Sequence, residues 1–274
     1  METNSARSLS PLEAAVVLAL EWQEKPVISR AEIADLLGGS TDRADRVIRS
    51  LRRKNWLQRI SGGRYLLIPA ERGPSGIPDS NMLAVGQHLV EPYYFGYGTA
   101  AAHYRFTAQS RSVAWIVTTK QVPERSLRGT TFRFVCVTPR KFFGFEPTSV
   151  YEQKVHMSDR EKTVIDCVDQ SDFAGGVGEL TRIIASAAPK FDRAKFCDYA
   201  AKFGSVAVVQ RFGALADRAK VELPEESRRT LHSLLKRNSR SFLASPKVWG
   251  TEGRYDRAWQ VIINVPDREI LSEI

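Results

Sequence analysis

Between Arg43 and Arg64 the chain gathers side chains suited to one kind of chemistry, the binding of polyanions. Arg43, Arg46, Arg49, Arg53, Lys54, Arg59 and Arg64 all lie in this stretch, and Asp45 is the only acid among them. A guanidinium fork donates paired hydrogen bonds to phosphate oxygens or to the O6/N7 edge of guanine, which a point-charge ammonium cannot do. Ser40 and Thr41 stand just before this run. Either can cap a helix whose first N–H groups would face a phosphate.

The elements that must position these groups are legible in the same stretch. Ala44, Val47, Ile48 and Leu51 recur at i, i+3, i+4, i+7, which predicts a helix to about Asn55 with its arginines turned away from the apolar side. Ser29-Arg30-Ala31-Glu32 is a capping box that opens a shorter helix carrying Ile33, Ala34, Leu36 and Leu37, and Gly38-Gly39 ends it. Trp56–Ile60 and Arg64–Ile68 are β-prone runs around Ser61-Gly62-Gly63, which predicts a hairpin with Arg59 and Arg64 flanking its tip. Ser10-Pro11-Leu12-Glu13 opens an earlier helix. Leu12, Val16, Leu20, Ala15 and Ala19 are expected in its core face, with Trp22 closing it.

Helix, helix–turn–helix and basic hairpin together predict a winged helix-turn-helix, which lays its second helix in the major groove of duplex DNA. Arg43, Arg46 and Arg49 are then expected to read bases. Arg53, Lys54 and the wing pair Arg59 and Arg64 are expected on phosphates, with Ser40 and Thr41 near a phosphate at the helix N-terminus. Two plainer readings compete: arginines that only solvate a small domain, and a winged helix used for protein contacts. Agreement among pattern, turn, wing and charge favours DNA.

Composition allows this without demanding it. The chain has 274 residues, which favours two domains, and a formal charge of +9. Its three cysteines, Cys136, Cys167 and Cys197, are far apart and lack a CxxC pair. They suit neither a zinc ribbon nor a disulfide framework, and each is expected to be a small buried residue in a reducing compartment. The polar stretch Met1–Ser8 lacks the apolar core of a signal peptide, and no apolar run suffices to span a bilayer. A cytoplasmic bacterial protein is expected.

Enzymatic constellations are weak. Glu152-Gln153-Lys154 on an expected strand has the E-x-K form of a metal-dependent nuclease, but no partner aspartate is evident, and an exposed alternating strand explains it more simply. His88, His103, His156 and His232 are scattered without paired-ligand spacing. Neither a P-loop nor a GxSxG elbow occurs. A non-enzymatic chain without cofactor or metal is expected.

Beyond residue 69 the Gly- and Pro-rich stretch 70–79 reads as a linker, and 80–274 as a second domain. Helices are expected from Ser80 to about Leu89 and over Thr99–Tyr104, with strands at Val113–Thr118, Phe132–Val137 and Val150–His156. Lys141–Phe145 is read as a short strand or turn. A capping box, Ser158-Asp159-Arg160-Glu161, opens a helix through Val168, and helical patterns continue to Leu235. One or two strands fall between Val248 and Val265, with Gly250-Thr251-Glu252-Gly253 as a hairpin connection. The fold class is therefore α+β: a winged helix-turn-helix over 1–69, then a larger mixed α/β domain with a small sheet and a helical bundle.

Across roughly residues 10 to 220 the chain resembles the AbiEi family of type IV toxin–antitoxin antitoxins and transcriptional regulators. The resemblance lies in Trp56-Leu57-Gln58-Arg59-Ile60 with Gly63-Arg64-Tyr65, in Tyr97–Tyr104, in Asp159–Asp166, in Gly175-Gly176 and in Arg211-Phe212-Gly213. It implies a repressor of its own operon that binds operator repeats in double-stranded DNA, and whose C-terminal domain counters a nucleotidyltransferase-like toxin directly or functionally. Under that implication the helix bearing Arg160, Glu161, Lys162 and Asp166 would form part of an antitoxin surface. The residues themselves favour a structural role, a capped helix with a surface Lys162–Asp166 pair at i, i+4. A winged-helix protein-interaction module, or a stand-alone regulator without a toxin partner, is the alternative.

Overall fold

The computed structural model describes residues 7–70, 82–109, 112–127, 129–150, 153–237 and 239–274. The architecture is mixed α/β in two units, Met1–Glu91 with Val150–Gln153, and Pro92–Ser149 with Lys154–Ile274. Residues 82–91 thus belong with the N-terminal unit, whereas the sequence suggested the second domain. Most of the expected linker, 71–79, lies outside the described residues. Among the described residues no helix is long and apolar enough to cross a membrane.

In the first unit α1 (Pro11–Trp22), β1 (Val27–Ser29), α2 (Arg30–Leu36), α3 (Thr41–Arg53), β2 (Leu57–Ser61), β3 (Arg64–Leu67) and α4 (Met82–Gly86) follow in order. The strands form an antiparallel sheet in the order β1-β3-β2. Gly62 and Gly63 alone span the β2–β3 turn, with φ of 37° and 77°, the two positive values that a tight hairpin needs and glycine supplies without a Cβ clash. The capping box on α2 is formed, Glu32 N–H donating to Ser29 Oγ at 3.2 Å and Ser29 N–H to Glu32 Oε2 at 2.8 Å. Val16, Leu20, Ile33, Val47, Ile48, Leu51 and Trp56 meet in one core. Of the apolar residues expected inside, Leu12, Ala15 and Trp22 on α1 and Leu36 on α2 are exposed and Ala19 is half-buried, because α1 turns Val16, Val17 and Leu20 inward instead.

α1 also carries a carboxylate inside. Glu13, only 3% exposed, accepts from Ser10 N–H at 2.6 Å and from Lys54 Nζ at 2.7 Å. Burial pushes this carboxyl up, but the Lys54 ammonium, Ser10 and Ser50 outweigh that push and hold its pKa at about 2.

The second unit begins with β4 (Tyr94–Phe95), α5 (Tyr97–His103), β5 (Val113–Thr118), β6 (Arg125–Leu127), β7 (Thr130–Cys136), β8 (Phe145–Val150) and β9 (Gln153–Ser158). These strands make a six-stranded sheet, order β6-β7-β5-β4-β9-β8, larger than the small sheet expected. Its parallel β5–β7 pair runs in register from Val113↔Thr131 to Thr118↔Cys136. Lys141–Phe145 ends a short 3-10 turn and leads into β8. Cys167 and Cys197 are buried as expected, whereas Cys136, at the end of β7, is exposed.

The helices α6 (Arg160–Asp169), α7 (Ser171–Ala174), α8 (Val177–Ala187), α9 (Arg193–Phe203), α10 (Val206–Arg218) and α11 (Glu225–Ser233) follow. Then come β10 (Ser241–Phe242), α12 (Pro246–Trp249), β11 (Arg254–Asp256), β12 (Val261–Ile263) and α13 (Asp267–Ile270). The last strands form a three-stranded sheet, order β10-β12-β11. Its hairpin is β11–β12, so the Gly250–Gly253 segment joins α12 to β11 and is not a hairpin connection.

Two predictions follow from packing. Gly213 on α10 faces the buried Trp259, whose Nε1–H donates to Asp217 at 2.7 Å and whose ring stacks on His232 at 4.3 Å. An alanine methyl at 213 would lie 2.0 Å from Trp259 Cδ2. Gly213→Ala should therefore lower stability by about 1–3 kcal/mol, despite a gain of about 1 kcal/mol in helix propensity. An unchanged or higher urea midpoint would contradict this account of Trp259. For Glu13, the folded pKa lies below the unfolded value, so its ionised form stabilises above about pH 4.3 and that contribution fades as pH falls toward 2. Glu13→Gln should melt below the parent at pH 7, and the gap should narrow on acidification; a gap independent of pH would show that Glu13 acts only through packing.

Candidate nucleic-acid interface

The sequence of α3 sorts itself into two sides. Ala44, Val47, Ile48 and Leu51 are buried, while Arg43, Arg46, Arg49, Arg52 and Arg53 are exposed. Ser40 is the N-cap, its Oγ accepting from Arg43 N–H at 3.3 Å, and Thr41 is the first helical residue and exposed. Arg46, Arg49 and Arg52 line an open groove of about 440 Å³ together with Asp42, Asp45, Ile48 and Tyr65 of β3. Arg53 follows in the next turn, and the C-terminal turn carries its positive charge where the helix macrodipole favours it.

Of the two acids lining this groove, Asp45 is answered by an arginine. Arg30 at the start of α2 grips Asp45 with two hydrogen bonds, Nε to Oδ1 at 2.6 Å and Nη2 to Oδ2 at 2.7 Å. These bonds hold the Asp45 carboxyl below its usual range. Arg49, Arg52, Arg53 and Arg59 make no ion pair among the described residues. Sequence reading missed Arg30; an arginine inside a capping box gives no sign that it reaches a carboxylate on the next helix.

Other candidates are placed differently from expectation. Arg43 is tethered, Nη1 donating to the Leu37 carbonyl at 3.2 Å, where it closes the exit of α2. Lys54, expected on a phosphate, is half-buried and committed to Glu13. At the hairpin Arg59 is exposed on β2, and Arg64 donates to the His88 carbonyl at 2.8 Å. The groove therefore gathers Arg46 and Arg49 from the expected set and adds Arg52.

The helix of the second expected surface is largely interior. Every residue of α6 from Glu161 to Val168 is buried, because α5, α8, α9 and α10 pack around it. Lys162 pairs with Asp166 in the interior, and its Nζ donates to Tyr94 Oη at 2.8 Å. Tyr94 in turn donates to Asp166 Oδ2 at 3.1 Å. Aromatic rings of Tyr94, Phe143 and Phe203 lie 5.2, 5.3 and 5.3 Å from the ammonium. Burial pushes the Asp166 carboxyl up and the Lys162 charge opposes it. Glu161 accepts from Asp192 N–H at the start of α9 at 2.7 Å and pairs with Lys195 at 3.0 Å. Arg160 alone of the four is exposed, donating to the Lys190 carbonyl at 3.1 Å. The helix is capped by Asp159, which accepts from Lys162 N–H at 2.9 Å, and not by Ser158, whose hydroxyl bonds that of Thr163 at 2.8 Å.

The histidines do not assemble into a site. His103, His156 and His232 pack on Tyr104, Tyr93 and Trp259 at 5.1, 5.6 and 4.3 Å. Among the described residues no three His, Cys, Asp or Glu side chains stand where they could hold a metal ion. Glu152 of the E-x-K triplet lies outside the described residues.

No protein-family model and no curated protein matches the chain. A solved structure, the RV2827C protein from Mycobacterium tuberculosis, superposes with a TM-score of 0.66 over 93% of this chain and 92% of that one. At 14% identity the two are alike in fold.

Proposed function

We propose that the N-terminal unit is a winged helix-turn-helix that binds duplex DNA, with α3 as reading helix and the β2–β3 hairpin as wing. The observation that carries this reading is the row of arginines that make no ion pair among the described residues, Arg46, Arg49, Arg52 and Arg53, on the exposed side of a helix whose other side seals the core. A helix of this kind fits the major groove, where Arg46 and Arg49 would meet guanine edges while Arg53, Arg59 and Arg64 neutralise phosphates. Ser40 and Thr41 would lie at a flanking phosphate. Arg43 contributes through the α2–α3 turn it ties.

On this reading the protein is a transcriptional repressor of the bacterial cytoplasm. The resemblance to AbiEi antitoxins extends it to autoregulation beside a nucleotidyltransferase-like toxin. A protein-interaction role for the same unit has one observation in its favour, the exposed Leu12, Leu18 and Trp22 on α1. Toxin neutralisation is tested by coexpression with the product of the adjacent reading frame, and growth that is not rescued removes the antitoxin half while leaving the repressor.

Arg46→Ala should cost about 1–3 kcal/mol on the operator and relax one base position, read by gel-shift titration against operator variants. Unchanged affinity and selectivity would move base readout elsewhere. Arg64→Ala should weaken binding about evenly across sequences and make the slope of log K against log salt shallower by about 1. An effect confined to one base would make the wing a reader.

A further inference from the structure

We infer that the outer face of the C-terminal β10-β12-β11 sheet binds single-stranded nucleic acid, stacking bases on its aromatic rings. On β12, Val261 and Ile263 are buried and Ile262 points the other way. Its cross-strand neighbours are Phe242 on β10 and Tyr255 on β11, so one row of large side chains crosses the outer face. Tyr255 is 40% exposed, as is Trp249 at the end of α12. Asn264 holds that segment to the sheet, donating from Nδ2 to the Gly250 carbonyl at 2.9 Å and to the Ala244 carbonyl at 3.2 Å.

Charge selects the occupant. Lys236, Arg237, Arg240, Lys247, Arg254 and Arg257 are exposed and make no ion pair among the described residues. Of the two acids between them, Asp256 is engaged by Arg218 at 3.3 Å and by Trp259 N–H at 3.1 Å, which leaves Glu252. The Arg240 guanidinium lies 5.2 Å from the Tyr255 ring centroid. Gln210 Nε2 donates to the Ser239 and Gln260 carbonyls, both at 2.9 Å, and so keeps the approach to β10 beside the β11–β12 turn that carries Arg257. A guanidinium beside an exposed ring, with further exposed cations on the flanking segments of the chain, suits a flexible polyanion with free bases. A duplex keeps its base faces stacked inside and would leave the rings idle.

The test uses the full chain and fluorescein-labelled oligo-dT and oligo-U, followed by anisotropy at low and moderate salt. Binding is expected to both, weakening with salt. Tyr255→Ala and Trp249→Ala should each lower affinity about tenfold, with Tyr255→Phe close to the parent. Arg240→Gln with Arg257→Gln should flatten the salt dependence. Arg46→Ala should leave single-strand binding untouched, which separates this site from the duplex reading of α3. The inference fails if neither oligomer binds at low salt, or if Arg46→Ala abolishes binding while Tyr255→Ala does not. Equal binding of duplex with no loss on removing the rings, or adsorption to phosphatidylserine vesicles without oligomer binding, overturns it equally.

Discussion

A charge carried into the interior must be answered there, and this constraint orders both units. In the first, Glu13 sits within the core side of α1 and draws Lys54 from the end of α3. In the second, Lys162 and Asp166 lie at the centre of the helical bundle, where Tyr94 and a ring of aromatic faces complete their surroundings. Neither ion pair is strong evidence of net stability, since desolvation offsets the attraction, but losing one partner would strand the other. Glu13 and Lys54 thereby fix α1 against the end of α3, and the hydroxyl of Tyr94 fixes β4 against the α6 pair.

The same constraint divides the basic residues into two populations. Lys54, Lys162 and Lys195 are held by carboxylates, whereas the arginines of α3 and the cations around the C-terminal sheet meet solvent. Positive charge is thereby left without a carboxylate partner on the outer side of α3 and on segments of the C-terminal sheet. Composition reports only the sum, +9, and the fold decides where it is displayed.

How far the sequence could be read depended on the range of each interaction. The α3 periodicity, the α2 capping box and the Gly62-Gly63 turn are local, and each appears where its spacing placed it. Strands β1 and β4, of three and two residues, are too short to show a period and exist through distant partners on β3, β5 and β9. An i, i+4 Lys–Asp spacing is the same on a surface as in a core. Only the helices packed around α6 make Lys162 and Asp166 interior residues, so the spacing was legible and the burial was not. The Arg30–Asp45 grip was likewise hidden, since fifteen residues and a turn separate its ends.

The outward arginines of α3 have a consequence for divergence. Among the described residues Arg46, Arg49, Arg52 and Arg53 project outward without an ion pair, so exchanging any of them leaves the core beneath intact, and surface changes of this kind usually alter stability by no more than about 0.5 kcal/mol. A lineage can therefore drift through different outward side chains while keeping one scaffold. At Lys54, a single residue further along, the same freedom ends, because Glu13 would be left inside without its counter-charge.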